Sequence, residues 1–186
     1  MTATPTAIPA DVELVRSFLN TIDYDEGTDA IETGPALTTW LVDKGLLDRS
    51  ARTSAADLAL ARELRDALRR QLVHHHDDTC DSALEGELDS LFARLPLRVT
   101  TTGRCALVPV DDGVRGGLEE LVAACAASQL AGTFERLKIC PATDCLWAFY
   151  DTSRNRSRRW CSMEVCGNRS KVRSYRDRAE DDAPDK

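Results

Sequence analysis

Four of the seven cysteines in this 186-residue chain stand as two matched pairs, Cys140/Cys145 and Cys161/Cys166. Each pair encloses four residues, and fifteen separate the pairs. A Zn²⁺ ion takes four soft ligands at tetrahedral corners, and two short knuckles joined by a loop long enough for a hairpin deliver that set. Two disulfides would use the same residues. The N-terminal residues, however, show neither the basic start nor the apolar core of a secretion signal. The chain is therefore expected in the cytoplasm, where thiols stay reduced, and one structural zinc per chain is expected on Cys140, Cys145, Cys161 and Cys166. Four protein ligands leave no position for water, so catalysis at this metal is not expected.

The residues around the cysteines must position them. Pro141 stiffens the first knuckle and Gly167 relaxes the chain after the second. Leu146, Trp147, Phe149 and Tyr150 read as a strand, Ser153 to Ser157 as a polar turn, and Arg158-Arg159-Trp160 as a second short strand leading back to the metal. From about Cys166 the chain reads as a basic helix. This order of knuckle, hairpin and helix is a treble clef. Ser162 and Asn168 are placed either to support the thiolates or to cap the helix. Arg169, Arg173 and Arg176 fall on one helical stripe and Lys171 and Arg178 on another, with Val172 and Tyr175 between them, expected to pack on the hairpin. Arg158 and Arg159 add charge from the strand side. Guanidinium groups take phosphates or guanine edges bidentately, so Arg158, Arg159, Arg169, Lys171, Arg173 and Arg176 are the candidate nucleic-acid contacts. At least two of the arginines are expected instead to pair with acidic groups or to pack on Trp160.

The net charge of −7 conceals a split: −10 over residues 1–137, +6 over 138–178 and −3 over 179–186. A basic module on an acidic body is the footprint of a polyanion-binding element.

The run from Asp151 to Arg169, with Arg158-Arg159-Trp160-Cys161-Ser162-Met163 followed by Cys166-Gly167-Asn168-Arg169, resembles a CGNR zinc finger, a family named for that last tetrad. Such fingers usually follow a helical ABATE domain in bacterial proteins predicted to be stress-induced transcriptional regulators. The resemblance implies DNA binding; spacing alone implies a metal site and a basic helix. The body resembles the ABATE domain through Phe18-Leu19-Asn20-Thr21, the Trp40-Leu41 helix, the Leu64-Arg65 helix and the hairpin before the finger. That resemblance points to a candidate ligand pocket at Asn20, Thr21, Trp40 and Arg65. Without it, Asn20 and Thr21 read as polar residues that end a helix by bonding local backbone.

The body reads as helices with one hairpin, so the fold class is mainly α (α+β), with residues 1–137 as a helical domain for ligand sensing or dimerisation, 138–178 as the finger and 179–186 as an acidic disordered tail. Residues 1–9 read as a loose leader. Apolar spacing predicts helices over about Ala10–Ile22, Pro35–Gly45, Ser54–His74, Ser82–Leu95 and Val114–Ala131. Ser54 with Asp57 and Ser82 with Glu85 read as capping boxes, Asp111/Asp112 as the cap of the last helix, and Gly116-Gly117 as a weakness in its first turn. Leu97 to Val110 reads as a β-hairpin around Gly103.

Other chemistry is thin. His74-His75-His76 would point in different directions from a helix, so they read as favourable charges at its C-terminal end rather than as metal ligands. Cys80, Cys105 and Cys125 read as free, small apolar residues. No P-loop, dinucleotide fingerprint, nucleophile elbow or Ser/His/Asp set occurs, and no stretch approaches the roughly 18 apolar residues that span a bilayer. The reading is a non-enzymatic, zinc-containing DNA-binding regulator, with a small-molecule effector and a homodimer as candidate partners. Its rival is a zinc-stabilised module that binds RNA or an acidic protein.

Overall fold

A computed structural model describes residues 7–48, 51–77, 79–103 and 105–181; the side chains of 174 and 176–181 lie outside that description, as do most of the leader and residues 182–186. Six helices and three small antiparallel strand pairs make up the described fold, an α+β arrangement.

Helix α1 (Ala10–Leu19) buries Val12, Val15, Phe18 and Leu19 at helical spacing. It ends three residues before the expected Ile22, because the Thr21 backbone N–H and side-chain hydroxyl both donate to the Phe18 carbonyl. The chain then turns into a small hairpin, β1 (Ile22–Asp23) against β2 (Thr28–Asp29), which the polar sequence had concealed. Helix α2 (Gly34–Asp43) starts from a Thr33 cap with Pro35 in its first turn and stops at Gly45, whose φ of +70° suits a left-handed cap.

The long helix α3 (Ala55–Asp77) begins with the expected capping box: the Asp57 amide donates to Ser54 Oγ and the Ser54 amide to Asp57 Oδ2. Helix α4 (Ser82–Ala93) is capped differently from the sequence reading. Asp81, not Ser82, accepts the amides of Ala83 and Leu84. The expected β-hairpin forms as β3 (Leu97–Thr100) with β4 (Ala106–Pro109).

Helix α5 (Val114–Leu130) packs along α1 and has no side-chain cap; Asp111 instead accepts from the Gly113 amide. Gly116 and Gly117 are not a weakness here. A Cβ on Gly116 would lie 2.1 Å from the Asp111 carbonyl oxygen, and one on Gly117 would lie 3.1 Å from the Leu41 side chain. The two glycines let the helix approach the preceding loop and α2. Buried Glu119 accepts the amides of Val110 and Asp111, fixing the entry into this helix.

After a short turn, β5 (Leu137–Ile139) pairs with β6 (Ala148–Tyr150) across the first cysteine pair. All six strand residues are buried. Leu137, Ile139, Ala148 and Tyr150 join the main core against α1 and α3, while Phe149 joins a second cluster with Cys140, Ala142 and Cys166. One strand pair thus faces the helical body on one side and the metal centre on the other. A division at 137/138 cuts through β5. The expected pairing of 146–150 with 158–160 does not form. Arg158 and Arg159 are exposed and lie in irregular chain, whereas Leu137 and Ile139 have apolar side chains to bury beside 148–150. Helix α6 (Asn168–Asp181) closes the described chain and runs three residues into the segment read as a disordered tail.

Candidate metal centre

The first knuckle is built by backbone bonding. The Cys140 amide donates to the Trp147 carbonyl at 2.9 Å, and the amides of Cys145 and Leu146 both donate to the Ala142 carbonyl. Leu146 adopts φ +49°, a left-handed conformation that costs an L-residue on the order of 1 kcal/mol and turns the chain from the knuckle into β6. The second knuckle is a single wide turn, Met163–Gly167, closed by the Gly167 amide on the Ser162 carbonyl at 3.1 Å. Gly167 is packed beneath Met163: a Cβ there would lie 2.5 Å from the flexible Met163 Sδ and 3.3 Å from the Trp160 ring, so Met163 would have to move. Ser162 Oγ accepts the Val165 amide and Asn168 Nδ2 donates to the Glu164 carbonyl, so both residues serve the turn and helix start rather than the sulfurs.

The ligand sulfurs of Cys140, Cys145, Cys161 and Cys166 all lie within 4.8 Å of one another, with Cys145 to Cys161 at 3.5 Å and Cys161 to Cys166 at 3.6 Å. Zn–S bonds of about 2.3 Å in a tetrahedron place sulfurs about 3.8 Å apart, so the donor set suits one zinc ion. Thiols crowded this closely cannot all ionise alone. Burial and neighbouring sulfurs push Cys161 up, and burial chiefly pushes Cys166 up to about 12. A divalent cation reverses that repulsion and draws the thiolates in. Four thiolates close the coordination sphere, so the ion would serve as a staple for the finger.

A buried network that the sequence reading missed holds the loop between the knuckles. The Asp151 carboxylate, fully buried, accepts from Lys138 Nζ at 3.0 Å, Ser153 Oγ at 2.6 Å, and the amides of Ser153 and Arg158, both at 2.9 Å. Burial alone would raise its pKa, but these donors hold it below the ordinary carboxylate value. Lys138 Nζ also reaches the carbonyls of Arg156 and Arg158. The one available signal was Lys138 itself, a charge between two apolar strand residues.

The candidate DNA contacts divide. Arg158 is committed to the finger: it donates to the carbonyls of Trp160 and Cys161, and its guanidinium lies 5.2 Å from the Phe149 ring centroid. Arg169 pairs with Asp144 at 3.4 Å and with Asp25 at 3.6 Å, and Arg173 with Asp144 at 3.8 Å. Arg159 and Lys171 are exposed and form no ion pair among the described residues. Arg176 lies on α6, but its side chain falls outside the described set, as does that of Arg178. Val172 and Tyr175 are exposed, not packed on the hairpin, because β5 and β6 spend both faces on the body and the metal cluster.

Asn20, Thr21, Trp40 and Arg65 do not line a common cleft among those described. Asn20 clamps the finger to the body: its Nδ2 donates to the Ala148 carbonyl at 2.9 Å and its Oδ1 accepts the Ala148 amide at 2.8 Å. Thr21 accepts from buried Arg65, which forms a two-pronged pair with Asp29 at 2.7 and 2.9 Å. Trp40 packs on Phe18 at 5.6 Å. One helical turn after Arg65, buried Arg69 donates to the Leu19 and Leu146 carbonyls, both at 2.6 Å, and joins α1, α3 and the first knuckle. Its position beside the Leu64, Leu68 and Leu72 stripe was the signal that this cation is buried.

Two family models match the chain. The ABATE model, described as "Putative stress-induced transcription regulator", covers residues 13–133, and the CGNR zinc finger model covers residues 136–179. The chain belongs to the ABATE family. Its finger follows the ABATE domain in the order the sequence suggested, and the CGNR tetrad supplies the fourth sulfur of the quartet, a buried glycine, the turn-bonding asparagine and an exposed arginine. No curated protein matches it. Among the described residues of this ABATE protein, no helix is long and apolar enough to cross a membrane.

The histidines divide as well. His74 Nδ1 bonds Thr79 Oγ1 at 2.8 Å and His75 Nδ1 bonds the Leu137 carbonyl at 3.1 Å, with the His75 ring edge-on to Phe134. The cysteine quartet is the only metal-competent cluster among the described residues. None of the seven cysteines is joined in a disulfide; Cys125 is buried, but Cys80 and Cys105 are exposed, contrary to the apolar setting expected for them.

Proposed function

We propose that this protein is a cytoplasmic, non-enzymatic DNA-binding regulator whose zinc-anchored helix α6 enters a groove of the duplex. One observation carries the reading. Among the described residues, helix α6 touches the rest of the chain chiefly through the turn that precedes it, and Arg169, Lys171, Val172, Arg173 and Tyr175 are exposed. A helix whose described side chains stay exposed contributes little to folding through them, and its diameter of about 10–12 Å suits a major groove about 12 Å wide. The family description supports a role in transcription. Arg159 and Lys171 are available to phosphates directly. Arg169 and Arg173 are held by exposed, salt-screened pairs that phosphates can replace.

The test is fluorescence polarisation of labelled duplex DNA against the zinc-loaded chain. Arg173→Ala is expected to cost about 1–3 kcal/mol of affinity and relax sequence discrimination if it reads a base, or to weaken all sequences alike if it touches phosphate. Wild-type affinity in both Lys171→Ala and Arg173→Ala would sink the proposal. The exposed Val172 and Tyr175 favour a second reading, a module for RNA or an acidic protein, because an exposed aromatic beside cations can stack unpaired bases. Tighter retention of competitor RNA than of duplex would select it.

A further inference from the structure

The cleft between α3 and the finger holds a cation without a counterion of its own. Arg69 is 7% exposed, and no carboxylate lies within ion-pair distance of it among the described residues. Its two carbonyl bonds occupy two of the five guanidinium N–H donors, and the Tyr24 side chain is a further partner, so the fork is not filled by the protein. The Tyr24 ring covers one side, with its centroid 5.3 Å from Cζ. The neighbouring charges are already engaged: Asp66 lies 3.4 Å from Arg65, which also holds Asp29, and Arg70 pairs with Glu87.

Arg69 lines a cleft of about 330 Å³ together with Arg70, Tyr24 and Asp66 and with the apolar Val73, Ile139 and Leu146. Small-ligand sites begin at about 300 Å³ and combine apolar walls with a few fixed polar groups. A desolvated guanidinium favours a planar carboxylate, which takes two parallel N–H bonds. The Asp66 carboxylate at the same cleft weighs against a second negative charge, so a monocarboxylate matches it better than a phosphate-like dianion.

We infer that this cleft binds a small organic monocarboxylate, its carboxylate on Arg69 and its apolar body against Val73, Ile139 and Leu146. The site lies at the joint of the molecule. Leu146 follows zinc ligand Cys145, and Tyr24 precedes Asp25, whose carboxylate holds Arg169 of α6. Occupation of the cleft therefore bears on the helix that the proposed function assigns to DNA. That consequence rests on the DNA reading, whereas the site itself does not.

Benzoate and hexanoate are suitable probes, with benzamide as the uncharged counterpart of benzoate, each titrated calorimetrically into the zinc-loaded full chain. Saturable binding of both carboxylates with Kd of about 1 mM or tighter is expected, with benzamide at least about ten-fold weaker. Arg69→Lys tests the anchor but also loosens the joint. Val73→Glu, at a side chain 46% exposed, brings a repelling carboxylate to the cleft without emptying the core and should weaken benzoate about ten-fold or more. Leu130→Glu, at a position 87% exposed on α5, should leave binding unchanged. Equal binding of benzoate and benzamide, no heat by about 20 mM benzoate, or wild-type binding in Val73→Glu would overturn the site. DNA affinity enters none of these readings, so their failure is separable from failure of the DNA proposal.

Discussion

Replacing Lys138 with methionine should destabilise the finger more than any exposed charge change in it. Lys138 Nζ and Asp151 Oδ2 lie 3.0 Å apart, with side chains 7% and 0% exposed. Removing one partner of a buried pair strands the other charge and typically costs about 3–5 kcal/mol. Asp151 keeps three further donors, which places the expectation for Lys138→Met near the lower end, at about 3 kcal/mol. The same change removes the cation from the Arg156 and Arg158 carbonyls and so loosens the loop that delivers Cys161 to the metal. Zinc affinity should fall about 10–100-fold, as when groups supporting metal ligands are lost. The double variant Lys138→Met/Asp151→Asn removes the stranded charge and should recover a large part of the loss. Denaturant unfolding at saturating zinc, followed by the fluorescence of Trp147 and Trp160, measures the first quantity, and competition with a zinc chelator the second. A loss below about 1 kcal/mol for Lys138→Met, the scale of an exposed pair, would refute the claim that this pair is buried and coupled to the metal loop.

Further outcomes follow from other contacts. Gly116→Ala should destabilise by about 1–3 kcal/mol, because its Cβ meets the Asp111 carbonyl, whereas Gly86→Ala in α4, with open space around it, should stabilise by about 0.5–1 kcal/mol; thermal melts of the two variants give the signs. Asn20→Ala removes both bonds to Ala148 and should cost about 2–3 kcal/mol, seen as faster hydrogen exchange at β6 while α4 keeps its protection. Burial pushes Asp29 up, but Arg65 and the Ile31 amide hold it net below the ordinary carboxylate value. Its stabilising contribution is therefore complete above the unfolded carboxylate pKa of about 3.9 and is lost as pH falls through the lower folded value. Asp29→Asn should flatten that acid limb in denaturant titrations, and an unchanged limb would contradict the assignment. Elemental analysis of chelator-free protein should find one zinc per chain, and Cys161→Ser should lose it while circular dichroism retains the signal of α1 to α5.

The metal centre was legible in the sequence because ligand spacing is a local property, and Cys140, Cys145, Cys161 and Cys166 meet as their intervals implied. The helices of the body were legible for a similar reason, through apolar periodicity in α1, α3 and α5. What the sequence concealed depends on contacts distant along the chain. Asn20 reads as a helix terminator and is a clamp on a strand 128 residues away. Arg65 reads as part of a candidate ligand pocket and is instead paired with Asp29, while Arg69, which the sequence reading passed over, is buried on two backbone carbonyls. Gly116-Gly117 reads as a helix defect until Leu41 and Asp111 are seen against it. The finger hairpin was misassigned because alternation cannot reveal that Lys138 meets a buried Asp151, the contact that admits Leu137–Ile139 as a strand.

The central claim is that the zinc-anchored helix binds DNA, and the most direct measurement is the salt dependence of duplex affinity for the zinc-loaded and the zinc-stripped chain. If about four cations of Arg159, Arg169, Lys171, Arg173 and Arg176 meet phosphates, log K should fall with log salt at a slope near −3.6, and stripping the zinc should abolish that binding. No salt-dependent affinity in the loaded protein, or the same slope and affinity after zinc removal, would contradict it.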